Sequence, residues 1–429
     1  MASLCDHDYL QALLDVEVAL AIAEAEAGVI PASCLPDIQA AAKAGNFDGA
    51  ALIAAAATDG NIVISLVKRL TEVVAASNPE SARYVHRGAT SQDIMDSALV
   101  LQLRTAGAAL HEILTHVMTT SGGHAREHAL TPMPGRTWLQ HASPTTFGLK
   151  AAGWLDMIGR SRARLDASVQ RALVVQLGGA SGTLASLGSD GPAVTAAFAR
   201  QLKLNVPEMP WHTHRDRIAD VSAALGIVCG TLGKIGRDLT LLAQSEVAEA
   251  ADGGGGGSSS MPHKQNPVRA VTAITAALRA PGLVATMLSA MPQEHERAAG
   301  GWQAEWLTLA ELIAITRQSA EAIAGALGDL RVDASAMREN LAIHGGVAMA
   351  EALSSALAAQ VSRTDAMGLV ENLVRTATRD QRSLREVATG DPEVSRWLSA
   401  TDVERVLNPE NFLGSAGVFV ERVLQHWEM

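Results

Sequence analysis

Residues 257–267, GSSSMPHKQNP, place three serine hydroxyls, a lysine and an asparagine beside two prolines that fix the backbone. These are hydrogen-bond donors and one cation, the types that meet an anion. The glycines at 253–257 have the composition of a flexible tether, but a tether has no reason to end in such a polar group. The stretch reads as a mobile loop with a rigid end. A phosphate-binding P-loop is set aside, because Gln265 follows Lys264 where Ser or Thr is required and the GxxxxGK spacing is absent.

Three further groups carry chemistry. GATSQDIMDSA at 88–98 puts Thr90 and Ser91 at a helix N-terminus, where free amides and the helix dipole favour a carboxylate; simple capping explains the same residues. GRTWLQHASPTTFG at 135–148 gathers Arg136, Thr137, Trp138, Gln140 and His141 ahead of a Pro-bounded helix. His141 is the group there that changes charge near neutral pH. PWHTHRDR at 210–217, with His212, His214 and Arg215, is either a solvated turn or an anion clamp, and spacing does not separate the two.

The elements that must position these groups are helices. Aromatics are only 3% of the chain, and apolar residues recur at three- and four-residue spacing. Leu10, Leu13, Leu14 and Leu20 mark a first amphipathic helix that Gly28 and Pro31 stop. A second begins at Thr90, with Asp93 placed to satisfy free amides, and runs through Leu99, Leu103, Leu110 and Ile113 toward Val117. Residues 221–250 are apolar on most faces and keep glycines inside, which predicts a helix packed closely on several sides. Residues 267–291 repeat the helical pattern. The expected fold class is all-α, with three helical domains: 1–103, a central long-helix bundle at 104–341 holding a catalytic loop at 252–267, and 342–429. Extended apolar faces on the long helices predict association into an oligomeric helical core.

Bulk properties narrow the function classes. The chain has 429 residues, 48% hydrophobic and 18% charged, with a formal charge of -11. No Lys/Arg cluster neutralises phosphates, so a nucleic-acid partner is not expected. Cys5, Cys34 and Cys229 are odd in number and far apart, which fits neither a zinc site nor a disulfide framework and suits a reducing cytoplasm. The N-terminus lacks the signal-peptide pattern and no run of about 18 uninterrupted apolar residues occurs, so neither export nor a membrane span is expected.

GSSSMPHKQNP resembles the signature of the fumarase and aspartase superfamily, whose members add or eliminate a group next to a carboxylate through an aci-carboxylate. TSQD at 90–93, GRTWLQHASPTTFG and WHTHRDR at 211–217 fall in that superfamily's order, and QEHERAAGGWQAEW and LGSAGVFVERVL extend the similarity along nearly the whole chain. In its lyases a His follows the Thr of the second motif and pairs with a Glu five residues beyond the signature Asn. Here those positions are Trp138 and Val271. The GRTWLQHA form, with YVHRGATSQD, LGGASGTLASLGS, PWHTHRDR and MPQEHER, resembles the bacterial 3-carboxy-cis,cis-muconate cycloisomerases.

That resemblance implies a cofactor-independent and metal-independent enzyme of aromatic breakdown that closes a diene tricarboxylate to a lactone. One carboxylate attacks a double bond, and the carbon next to another carboxylate takes a proton. Lys264, Asn266, Thr90 and Ser91 are the types required around the aci-carboxylate. Arg215 and Arg297 would hold the remaining carboxylates, Arg136, Thr137, Gln140 and His214 would bind further polar groups, and Trp138 would form a wall beside the planar diene. His141, by residue type, and Ser258, the position the superfamily uses as catalytic base, both stand as the proton-transfer group. His86, Arg87, His212, His214 and His263 are candidate lining residues, with a structural or solvated role favoured for each taken alone. A cytoplasmic homotetramer with active sites shared between subunits is also implied. His214 in place of the usual Gln and Gln265 in place of the usual Arg alter charge beside the anion site and admit a sulfomuconate as substrate. The same residues also admit a fumarate-releasing lyase or an inactive helical scaffold. Relative to the family pattern the N-terminus is short, and an early helical segment is expected to be missing.

Overall fold

The computed structural model describes residues 7–257, 260–261 and 264–429. Cys5, Ser258 and His263 lie outside them. The architecture is all-α, built on long helices: Ser91–Glu127, Phe147–Ala172, Asp216–Leu242, Val268–Ser289 and Gly301–Gly328. The first starts as its capping residues dictate. The Thr90 N–H donates to Asp93 Oδ2 at 2.9 Å while the Asp93 N–H donates to the Thr90 carbonyl at 2.9 Å, which closes the opening turn. It runs past Val117 to Glu127.

Two local structures depart from the helical reading. The helix expected over 221–250 ends at Leu242; Ala248 takes a left-handed φ of 51° and the Glu249 N–H returns to the Leu242 carbonyl at 3.0 Å before the strand Ala250–Asp252. No Gly or Pro marks that stop, so periodicity alone runs through it. The residues around Trp138 form a β-hairpin, Pro132–Thr137 against Gln140–Thr146, and the next helix starts at Phe147. A Cβ on Gly135 would lie 2.4 Å from the Ser143 carbonyl, so only glycine fits the irregular register there.

Packing divides the chain into two compact units, each discontinuous in sequence: residues 1–112, 161–230 and 276–318, and residues 113–160, 231–275 and 319–429. The three consecutive domains read from the sequence follow chain order instead. In the first unit, His7–Glu26 packs against Gly191–Leu202 around Leu13, Leu14, Leu66, Ile94 and Phe198. In the second, Leu353, Leu357, Leu373 and Ala388 centre a separate hydrophobic cluster within residues 349–407.

One core residue of the first unit is poorly matched to its place. Glu24 is fully buried and, among the described residues, neither carboxylate oxygen has a partner. Burial, then Glu17, pushes its carboxyl up to about 8. The folded state therefore keeps a proton that the unfolded chain releases near pH 4.5, so stability is lost as pH climbs from 4.5 toward 8. Glu24→Gln is expected to raise Tm at alkaline pH, with a gain that shrinks toward pH 5, as read by thermal unfolding across pH.

Three stretches, Asp216–Leu242, Val268–Ser289 and Ala334–Ala358, are long and apolar enough by composition to cross a bilayer. Most of the first is buried in protein, where its glycines admit close neighbours: a Cβ on Gly226 would lie 2.6 Å from Val284. Most of the second is uncovered, with Val268, Val271, Leu278 and Leu288 exposed.

Candidate active site

In the first unit, polar residues converge on the start of the Ser91–Glu127 helix. Asp93 is fully buried and accepts from the N–H groups of Thr90, Gly178 and Gly179, each at 2.9 Å, and from His212 Nε2 at 2.7 Å. One carboxylate thereby ties the helix start to the Gly178–Gly179 turn and to the segment bearing His212. Arg297 lies on the same feature. Its Nη1 donates to Thr90 Oγ1 at 3.0 Å, and its Nη2 donates to the carbonyls of Gly179 and Ala180 at 3.2 and 2.9 Å. Among the described residues no carboxylate forms an ion pair with it; Asp93 already caps this helix end through the Thr90 N–H, and the guanidinium adds positive charge beside that cap. An anion is the natural counter-charge there. Ser91 Oγ accepts from Asn61 Nδ2 at 3.1 Å, and His214 is exposed.

Arg215 has a different environment from Arg297. It is buried, and its guanidinium contacts Asp96 at 2.8 and 3.1 Å and Glu305 at 2.6 Å, with Trp211 stacked 5.0 Å away. Burial works against its charge, but Asp96 and Glu305 more than reverse that and hold its pKa above the ordinary value. The motif alone points Arg215 at a substrate carboxylate; in the structure two protein carboxylates occupy its fork.

In the second unit, Arg136, Thr137, Trp138, Gln140 and His141 share the hairpin. Arg136 faces His141 across the register and its Nη1 donates to Glu249 Oε2 at 2.8 Å. Glu249 is fully buried, and its other oxygen accepts from Asn340 Nδ2 at 2.8 Å. Thr137, Gln140 and His141 are exposed. Partial burial, then the Arg136 charge, lowers the His141 pKa below its ordinary value, with Glu249 opposing and His344 adding to the effect. Neutral imidazole is thus the main species at pH 7. Trp138 and Leu139 form the turn, both in the left-handed region at φ 52° and 64°, and are 97% and 74% exposed. Bulky residues strain such a turn, and a tryptophan held out from its own fold has no wall to form within this unit.

The same unit carries the glycine run, and it is not slack chain. A Cβ on Gly253 would lie 2.7 Å from the Asp329 carbonyl, and one on Gly254 would lie 2.5 Å from the Arg269 guanidinium, which itself binds Asp252 and Asp329. These glycines allow close approach rather than motion. Gly256 and Asn266 exchange backbone hydrogen bonds of 3.0 and 2.8 Å that close the base of the loop, and a Cβ on Gly257 would meet no neighbour among the described residues. Lys264 is exposed, with no ion-pair partner among the described residues, and lines an open cleft with Asn266, Asp252 and Arg331. Val271 is half exposed, so no buried acidic partner stands at that position.

The structure therefore gathers Thr90, Ser91 and Arg297 in one unit. In the other it gathers Arg136, Thr137, Trp138, Gln140 and His141 on the hairpin, and sets Lys264 and Asn266 on the glycine-flanked loop. Sequence reading misses Glu249, the buried partner that orients Arg136 beside His141, and the Asp96 and Glu305 pair that occupies Arg215. These partners lie 113, 119 and 90 positions away along the chain, and no local pattern announces them.

Residues 3–282 match the family model described as Lyase, and residues 346–423 match that described as adenylosuccinate lyase C-terminus. The chain belongs to this lyase family, the fumarase and aspartase superfamily. It is 50% identical to a 3-carboxy-cis,cis-muconate cycloisomerase of Pseudomonas aeruginosa, over 98% of this chain and 92% of that protein. It is 46% identical to one of Bradyrhizobium diazoefficiens, over 100% and 96%. The crystal structure of the 3-carboxy-cis,cis-muconate lactonizing enzyme from Pseudomonas putida superposes with a TM-score of 0.94 at 46% identity, covering 99% of this chain and 95% of that one.

Proposed function

We propose that this chain is a cofactor-independent cycloisomerase that closes 3-carboxy-cis,cis-muconate to a carboxymuconolactone, acting in the cytoplasm in protocatechuate breakdown. The observation that carries this reading is the Arg297 guanidinium, without an ion-pair partner among the described residues, bonded to Thr90 at a helix N-terminus, a seat for a carboxylate. In the reaction a carboxylate oxygen forms a C–O bond to one end of a double bond. The electron pair moves onto the carbon next to a second carboxylate, which becomes an aci-carboxylate, and that carbon then takes one proton. Lys264, Asn266, Thr90 and Ser91 stabilise the developing charge, and Arg136, Thr137, Gln140, His214 and Arg297 orient the substrate. Relatives bearing the cycloisomerase name at 46–50% identity favour carboxymuconate over a sulfonated substrate and over fumarate release.

The enzyme is a homotetramer with active sites shared between subunits. What supports this is the uncovered apolar surface of Val268–Ser289, the exposed Leu307, and the Trp138–Leu139 tip held away from its own fold. Those surfaces are then subunit contacts rather than lipid contacts, and Trp138 becomes a wall for the diene of a neighbouring site.

Either His141 or Ser258 delivers the proton, and pH separates them. In the lactonising direction His141 must be the imidazolium, whose population at pH 7 is small because its pKa lies below 6.5. If His141 is the donor, kcat rises as pH falls through and below 6.5, and His141→Ala abolishes that limb. A flat profile that the same substitution leaves unchanged assigns the proton to Ser258. The proposal as a whole is tested by a substrate screen with 3-carboxymuconate, sulfomuconate and unsubstituted muconate. Loss of diene absorbance with the first alone supports it, and preference for either of the others overturns it.

A further inference from the structure

The end of the Ser91–Glu127 helix and the residue after it read HAREH; the His128 N–H still donates to the His124 carbonyl at 3.1 Å, which sets His124, Glu127 and His128 at positions i, i+3 and i+4 on one face. One potential ligand atom from each lies within 4.8 Å of the other two. His124 Nε2 donates to the Leu327 carbonyl at 2.9 Å, which fixes the neutral tautomer and leaves a lone pair on Nδ1. That Nδ1 is shielded from solvent and has no hydrogen-bond partner among the described residues. A buried acceptor without a partner is costly, and a metal bond satisfies it. An imidazole whose second nitrogen is held by a backbone carbonyl is also the usual support of a metal-bound histidine.

The other two residues complete a donor set. His128 Nδ1 sits 3.2 Å from Thr131 Oγ1, and its Nε2 lies 3.9 Å from Glu127 Oε1. Phe147 packs edge-on against both imidazoles, at centroid distances of 6.4 and 5.3 Å, and fixes their planes. Glu127 is largely exposed, which supplies an entry path, a negative charge and the freedom to draw in. Bonds of about 2.0–2.2 Å require these atoms to close up somewhat from their present spacing.

We infer that His124, Glu127 and His128 form a binding site for a divalent transition metal, of which zinc is the best match. Two imidazoles and one carboxylate without sulfur suit zinc, cobalt, nickel or copper, whereas magnesium and calcium take oxygen-rich sets. Three protein ligands leave a position for water. The metal would cross-link the helix terminus and, through His124, pin it to Leu327 at the end of the Gly301–Gly328 helix. None of the residues assigned to the lactonisation takes part.

The test is isothermal titration of the full-length, chelator-treated protein with zinc, repeated with cobalt to read the visible absorption of the bound ion. One zinc per chain is expected, with affinity at least tenfold weaker in both Glu127→Gln and His128→Gln and the cobalt band lost in the same variants. Glu127→Gln changes an exposed side chain, so a loss there is not a folding defect. Absence of saturable binding in the unaltered protein, or binding that both substitutions leave intact, overturns the assignment.

Discussion

Lys264→Ala is expected to lower kcat on 3-carboxy-cis,cis-muconate by about 10²–10³-fold, the usual loss when one fixed donor to a developing anion is removed. The side chain is exposed and has no ion-pair partner among the described residues, so the unfolding midpoint should stay where it is. Because the lysine acts mainly on the aci-carboxylate, the loss should fall on kcat more than on KM. Steady-state kinetics beside urea unfolding reads both quantities. An unchanged kcat would remove Lys264 from the chemistry and leave the polar end of the loop without its assigned purpose.

Arg215→Met is expected to act on stability instead, at a cost of about 3–5 kcal/mol. It leaves Asp96 and Glu305 buried at 1% and 3% exposure without the cation that both require. Gln92, Gln176, Gln293 and Trp302 donate to the same two carboxylates, but neutral donors do not replace the lost charge. Arg215→Lys should recover part of the loss, since a lysine restores the charge without the fork. Equilibrium unfolding in urea measures the change. A midpoint near that of the unaltered protein, together with a raised KM, would return Arg215 to the substrate-binding role its motif suggests.

The contrast between two arginines shows where sequence reading stops. Arg215 and Arg297 are the same residue type, and both read from sequence as holders of substrate carboxylates. Only the fold reveals that Arg215 meets two acids from distant segments while Arg297 meets a threonine hydroxyl and two carbonyls. The long helices are legible because an apolar stripe of sufficient length admits few other structures, and Thr90 with Asp93 marks a start that the structure reproduces. The hairpin is hidden. Its turn is Trp138–Leu139 rather than a glycine or asparagine pair, so the ordinary signal of a two-residue turn is missing. The glycine run is legible as unusual but not as packed. Composition reports conformational freedom, whereas Arg269 and Asp329, which fill the space beside Gly253 and Gly254, are known only from the fold.

The most direct measurement is proton NMR of the product formed when the purified protein acts on 3-carboxy-cis,cis-muconate in deuterated water. A lactone with a single deuterium on the carbon next to a carboxylate, and no fumarate, is the expected result. Fumarate in the spectrum, or a diene that persists unchanged, would contradict the assignment of this chain as a cycloisomerase.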